Sequence, residues 1–162
     1  MSAADNMAGM AEQATAQFIE GMGQSAEADG LPRIAGRLWG FFIIHDGEVS
    51  LGELAERLRV SRGSISTNAR ILRDLGILER VTHPGDRQDY YRLTDKPYDR
   101  LLLGYVERMR RTQARVEAAH AALPRQQASA RRRLSDMRRF YQTAAAATEK
   151  LIASFNQDGR RR

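Results

Sequence analysis

Two serines constrain this chain more than any other feature. Ser50 stands ahead of Glu53 at the spacing of a capping box, and Val49 and Leu54 flank it as a hydrophobic staple. A helix is expected to begin at Leu51, with Leu51, Leu54, Ala55 and Leu58 on one face. Arg59-Val60 then makes a short turn, and Ser61 caps again, with Val60 and Ile65 as a second staple. The helix that follows runs to about Leu75, where Gly76 ends it. Two capped helices joined by a tight turn form a helix-turn-helix. Ile77 to His83 reads as a strand, Pro84 to Asp89 as a turn-rich loop and Tyr90 to Thr94 as a second strand, so a β-hairpin follows directly. That order is a winged helix.

The flanks are helical. Met7, Ala11, Ala14, Phe18 and Met22 recur at helical spacing over residues 7–27, where Gly21, Gly23 and Ala26 offer a small-residue packing face before Asp29-Gly30 stops the helix. Pro32 opens a second helix in its first turn, running to about His45. Its apolar residues cover most of its circumference, as expected of a central core helix, and Asp46-Gly47-Glu48 makes a turn. From Pro97, Leu102, Tyr105, Met109, Thr112, Val116, Ala119 and Leu123 alternate steps of three and four until Pro124. Leu134, Met137, Tyr141, Ala144, Thr148, Leu151 and Phe155 repeat the pattern. Such seams require antiparallel packing within the chain, a partner chain, or both. The expected fold class is mainly α: a winged helix-turn-helix with a two-stranded wing, flanked by N- and C-terminal dimerisation helices. The expected divisions are an N-terminal dimerisation helix over 1–29, the winged domain over 30–96, coiled-coil-like dimerisation helices over 97–156 and a flexible tail over 157–162.

A chain of 162 residues holds one core and is short for a multidomain enzyme. Its 26 Lys and Arg exceed its 20 Asp and Glu, and Lys96 and Lys150 are the only lysines. An excess built of guanidinium groups suits phosphates and guanine edges. Its distribution leaves a second reading open. Residues 1–30 hold five acids and no base, whereas residues 101–162 hold fourteen bases against five acids, so the two ends also suit pairing across an interface. The absence of cysteine excludes disulfides, thiolate zinc sites and a cysteine nucleophile. His45, His83 and His120 stand on separate elements without metal-ligand spacing, and no nucleophile motif is present, so neither an enzyme nor a cofactor or metal is expected. The first twenty residues carry no base and no apolar run of the signal-peptide kind. The longest strongly apolar run, Phe41 to Ile44, falls far short of the ~20 residues of a membrane span. A cytoplasmic protein without membrane contact is expected.

At about 100° per residue, Ile65, Ala69 and Leu72 fall in one narrow sector of the second capped helix, while Gly63, Thr67 and Arg70 lie opposite, flanked by Ser66, Arg62 and Ser64. Small hydroxyl residues permit close approach to a major groove, and Arg forks reach base edges or phosphates. Arg87 at the wing tip is the expected minor-groove or phosphate contact, oriented by Asp86 or Asp89, with Arg92 and His83 beside it. The function expected is a dimeric, sequence-specific, DNA-binding transcriptional regulator. The alternatives are a helical dimerisation or scaffold protein whose winged domain binds protein, and a non-specific nucleic-acid binder.

Several runs bear a family likeness: Gly30 to Leu38, Leu54-Ala55 with Val60 to Thr67, Gly76 to Val81, and Pro84-Gly85-Asp86-Arg87 to Leu93. Together they resemble the GbsR-like branch of the MarR-type winged-helix transcriptional regulators. The resemblance implies a homodimer held by the terminal helices and a pseudo-palindromic double-stranded operator, with one recognition helix per half-site. On that basis Arg62, Ser64, Ser66, Thr67 and Arg70 fall on the recognition helix and Arg87 on the wing, and Gly63 and Arg92 join them as DNA-binding candidates by their places in the sequence. The chain departs from the pattern at Gln88, where many wings of the family carry Arg, so weaker wing contacts are expected if Arg87 does not substitute. The resemblance also implies a small-molecule effector between the dimer helices and the winged domain, for which Trp39, Phe42 and Tyr105 are the aromatic candidates. The dimer interface is expected to use Phe18, Leu102, Met109, Val116, Leu134, Met137, Tyr141 and Leu151.

Overall fold

Both serine caps form as their spacing predicts. The Ser50 hydroxyl accepts the Glu53 amide at 3.2 Å, and the Ser61 hydroxyl accepts the Ser64 amide at 3.1 Å. The capping box is only half used, because the Glu53 carboxylate turns outward to Arg57 at 2.7 Å. The computed structural model describes residues 3–158, with side chains described from 6 to 155. Its elements are α1 (Ala3–Ala28), α2 (Arg33–Ile44), β1 (Val49–Ser50), α3 (Leu51–Leu58), α4 (Arg62–Asp74), β2 (Leu78–Val81), β3 (Tyr90–Leu93), α5 (Pro97–Ala122) and α6 (Ala128–Asp158). The chain divides into two compact units, 1–97 and 98–162.

In the first unit, Leu38 and Phe41 of α2, Leu54 and Leu58 of α3, and Ile65, Ala69 and Leu72 of α4 form the core with Ile77, Leu78 and Tyr91. Three chain reversals share one mechanism. Leu31 donates to the Ala26 carbonyl, Val60 to Ala55 and Ile77 to Leu72, each closing a helix with a residue in the left-handed region before the donor. That residue is Gly30 after α1 and Gly76 after α4, but Arg59, at φ 54°, after α3. Pro32 sits one position earlier than expected, at the N-cap of α2 with extended backbone, where its carbonyl accepts the amides of Ala35 and Gly36.

The wing is larger than the expected hairpin. β2 and β3 pair antiparallel with Leu78 opposite Leu93 and Val81 opposite Tyr90, and the two-residue β1 adds to the other edge of β3, giving the order β1-β3-β2. The Leu51 amide also donates to the Asp89 carbonyl at 2.9 Å, so the start of α3 is tied directly to the wing.

α1 lies against α2 at a separation only small residues permit. A methyl group at Gly36 would stand 2.3 Å from the Met22 carbonyl oxygen and 2.5 Å from the Ala26 Cβ. Gly23 and Ala26 thus form the expected packing face, while Gly21 has open space around it. Arg37 secures the arrangement: its Nη2 donates to the Leu58 carbonyl at 2.8 Å, and its Nε lies 2.6 Å from Glu20, an ion pair whose N–H is not aligned for a hydrogen bond.

In the second unit α5 and α6 run antiparallel, as the cross-helix pairs Arg110–Glu149, Glu117–Arg138 and His120–Ser135 require. Val106, Met109, Ala145 and Ile152 are buried with Leu102, Tyr141 and Ala144 against them. Val106 and Ile152 take the places expected for Tyr105 and Leu151, which are exposed. α6 continues to Asp158, two residues into the expected tail, and 159–162 lie outside the described residues. Among the described residues no helix is long and apolar enough to cross a membrane.

Candidate nucleic-acid interface

α4 presents the two faces its sequence predicts. Ile65, Ala69 and Leu72 are fully buried; Arg62, Gly63, Thr67 and Arg70 are exposed, with Ser64 and Ser66 half-buried beside them. Asn68 is also buried, where its Nδ2 donates to the Ser64 carbonyl at 2.8 Å and stiffens the first turns of the helix. No Cβ or other group crowds Gly63, so a surface approaching α4 there meets bare backbone.

Ion pairing sorts the arginines of this unit into two sets. Arg33, Arg37, Arg57, Arg80 and Arg92 are held by carboxylates. Arg59, Arg62, Arg70, Arg73 and Arg87 are exposed and make no ion pair among the described residues. The second set belongs to α4, the turn before it and the wing tip. Their charge is uncommitted, which is what an anionic partner needs.

Arg92 does not join them. Its Nε donates to Glu79 at 2.6 Å and its Nη1 reaches Glu48 at 3.4 Å, and these carboxylates, Glu79 first, raise its pKa. Glu48 also takes the His83 ring at 2.8 Å, and His83 meets Tyr90 edge-on. This cluster braces the wing root, so any phosphate contact by Arg92 would compete with two carboxylates.

The wing tip is organised by Asp86, which accepts from the Gln88 amide at 2.8 Å and the Tyr90 hydroxyl at 2.7 Å. Those two bonds, the backbone one first, hold its carboxyl below the ordinary range, and the same bond to Asp86 raises the Tyr90 phenol. The expectation that Asp86 or Asp89 orients Arg87 is not met, because Asp86 folds its own turn and Asp89 pairs with Arg80 at 2.8 Å. Between wing and helices lies a cleft of about 200 Å³ lined by Leu51, Gly52, Arg62, Arg87, Gln88 and Asp89.

The other expected site residues are placed differently. Phe42 is buried edge-on to Phe41, and the Trp39 indole nitrogen is buried without a hydrogen-bond acceptor. Tyr105 belongs to the second unit, exposed, with the Arg108 guanidinium 5.8 Å from its ring centre. Of the expected interface residues, Met109 and Val116 are buried within their own chain, Leu102 and Tyr141 pack against the cluster that holds Met109, and Leu134 is half-buried, whereas Phe18, Met137 and Leu151 are exposed.

The geometry has known counterparts. The sequence profile of the MarR family matches residues 29–89, which span α2 to the wing. A solved crystal structure of a transcriptional regulator aligns at 33% identity with a TM-score of 0.78, covering 88% of this chain and 98% of that one. The chain belongs to the MarR family. Among curated relatives, it is 46% identical over 84 residues to the HTH-type transcriptional regulator MmpR5 of Mycobacterium tuberculosis, covering 51% of each chain. It is 32% identical over 77 residues to the HTH-type transcriptional repressor GbsR of Bacillus subtilis, 48% of this chain and 42% of that one. The chain thus spans about half the length of these two relatives. Within this MarR-family chain, sequence reasoning passed over Glu48 and Gly52. β1 is too short to show a periodicity that would place Glu48, but a glycine in the first turn of an otherwise well-capped helix was a visible anomaly.

Proposed function

We propose that the chain is a dimeric, sequence-specific, DNA-binding transcriptional regulator without catalytic activity. The observation that carries the reading is the exposed face of α4, where Arg62, Gly63, Ser64, Ser66, Thr67 and Arg70 stand opposite a fully buried apolar stripe, with arginines that make no ion pair among the described residues. α4 enters the major groove of a double-stranded, pseudo-palindromic operator, and Arg87 meets the backbone or minor groove beside it. Residues 30–96 are the DNA-binding part, and residues 1–29 and 97–156 serve dimerisation. Within the family we assign the GbsR-like branch on the run from Gly30 to Leu38 and the 32% identity to GbsR, a weaker match than that to MmpR5. Control by a small molecule rests on the family likeness alone, with Trp39, Phe42 and Tyr105 as the aromatic candidates.

The test is a titration of purified protein against the DNA upstream of its own gene and against a random duplex, at several salt concentrations. Binding is expected to favour the upstream duplex and to weaken with salt in proportion to the phosphates neutralised. Equal affinity for both duplexes, or none, would refute the proposal. Arg70→Ala is expected to lower discrimination by about 1–3 kcal/mol, and Arg87→Ala to weaken both duplexes alike.

A further inference from the structure

Gly52 occupies the second position of α3, and nothing in its backbone calls for glycine. Positive φ among the described residues is confined to Gly30, Gly47, Gly76, Gly85 and Arg59. Glycine in a helix weakens it relative to alanine. Nor does Gly52 serve close helix packing as Gly36 does, for no backbone atom is among its near neighbours. What lies over it is a single side chain. A Cβ at Gly52 would stand 2.9 Å from Nη2 of Arg62, 3.6 Å from Cζ and 3.8 Å from Nε. The guanidinium therefore lies across the bare face of the residue.

That guanidinium lines the cleft shared with Arg87, and neither arginine makes an ion pair among the described residues. The one carboxylate lining the cleft, Asp89, is engaged by Arg80. The hydrogen bond from the Leu51 amide to the Asp89 carbonyl joins the two segments, the start of α3 and the wing, that line the cleft with the two arginines. Two uncommitted guanidinium groups lining one cleft suit a single anionic group with several oxygens, such as a phosphodiester.

Resting on the DNA-binding reading above, we propose that Gly52 is a positioning residue for the DNA backbone: by lacking a side chain it seats Arg62 in the cleft beside Arg87, so that both meet one phosphodiester.

The test is Gly52→Ala in the full chain, measured by anisotropy against a random duplex across a salt series, beside Arg62→Ala and the double variant. The group a Cβ would displace is the mobile end of a side chain, so the alanine variant is expected to fold with an unchanged or higher thermal midpoint. Its Kd at about 0.15 M salt is expected to rise roughly five- to tenfold, as in Arg62→Ala, with the salt dependence shallower by less than the roughly 0.9 of a whole phosphate, because Arg87 still meets the same one. The double variant is expected to bind no more weakly than Arg62→Ala alone. Wild-type affinity and salt slope in Gly52→Ala while Arg62→Ala is weakened would overturn the positioning role alone, as would fully additive losses in the double variant or an unfolded Gly52→Ala. A wild-type chain that binds no duplex would overturn the DNA-binding reading and this proposal together.

Discussion

Asp86 shows how a fully exposed residue shapes a site. Both of its bonds, from the Gln88 amide and the Tyr90 hydroxyl, favour the ionised carboxylate, so its pKa in the folded wing lies below the ordinary 3.8. A lowered folded value means that the order Asp86 lends the tip is complete above the unfolded pKa of about 3.9 and is lost as pH falls through the lower native value. Protection of the Gln88 amide from hydrogen exchange, corrected for intrinsic rate, is therefore expected to stay level from about pH 8 to 5 and to drop only below about pH 3.9. Asp86→Asn is expected to remove that step, and a loss of protection near neutrality would contradict the assignment. At this scale the sequence reveals residue types but not their partners. Arg92 and Arg87 look alike in sequence, yet Arg92 is held by Glu79 and by Glu48, far away along the chain, while Arg87 makes no ion pair among the described residues. Only tertiary approach separates them.

At the scale of elements, what was legible was local. Ser50 and Ser61 cap the amides their spacing selects, and Gly76 closes α4, because each of these bonds joins residues a few positions apart. β1 escaped notice because two residues carry no alternation, and its pairing with Tyr90 and Tyr91 is non-local. The C-terminal seam differs from the expected register by one residue at Val106 and Ile152 because α5 and α6 each bear adjacent apolar stripes, and sequence does not say which one the chain itself covers. The contact between α1 and α2 permits a sharp test. The atoms nearest a Cβ at Gly36 include the Met22 carbonyl and the Gly23 Cα, which have no rotamer to change. Gly36→Ala is expected to destabilise the fold by about 1–3 kcal/mol in denaturant titration despite alanine's higher helix propensity. A stabilised variant would show that the helices are free to separate.

At the scale of the molecule, α6 carries a face that no described part of the chain covers. Met137, Phe140, Leu151 and Phe155 are 43%, 64%, 46% and 50% exposed, and at about 100° per residue they fall within one narrow stripe. An apolar stripe of this length calls for a partner surface, and we assign it to the dimer. Light scattering at roughly micromolar concentration is expected to give a dimer, and Phe140→Glu with Leu151→Glu a monomer that keeps its helical circular dichroism. A monomeric wild-type chain would contradict the assignment. The basic excess takes a new meaning here: much of it lies after residue 100, outside the winged unit, while the arginines offered to DNA are set apart by lacking acids rather than by local net charge. In the first unit, one side chain ties three helices. Arg37 stands on α2, pairs with Glu20 on α1 and caps the end of α3 through the Leu58 carbonyl. Because that last acceptor is main chain, exchanging the side chain at position 58 leaves it in place. The tolerance of the joint to sequence drift is therefore lopsided: position 58 can change its side chain and keep the bond, whereas a single change at Arg37 severs both links together.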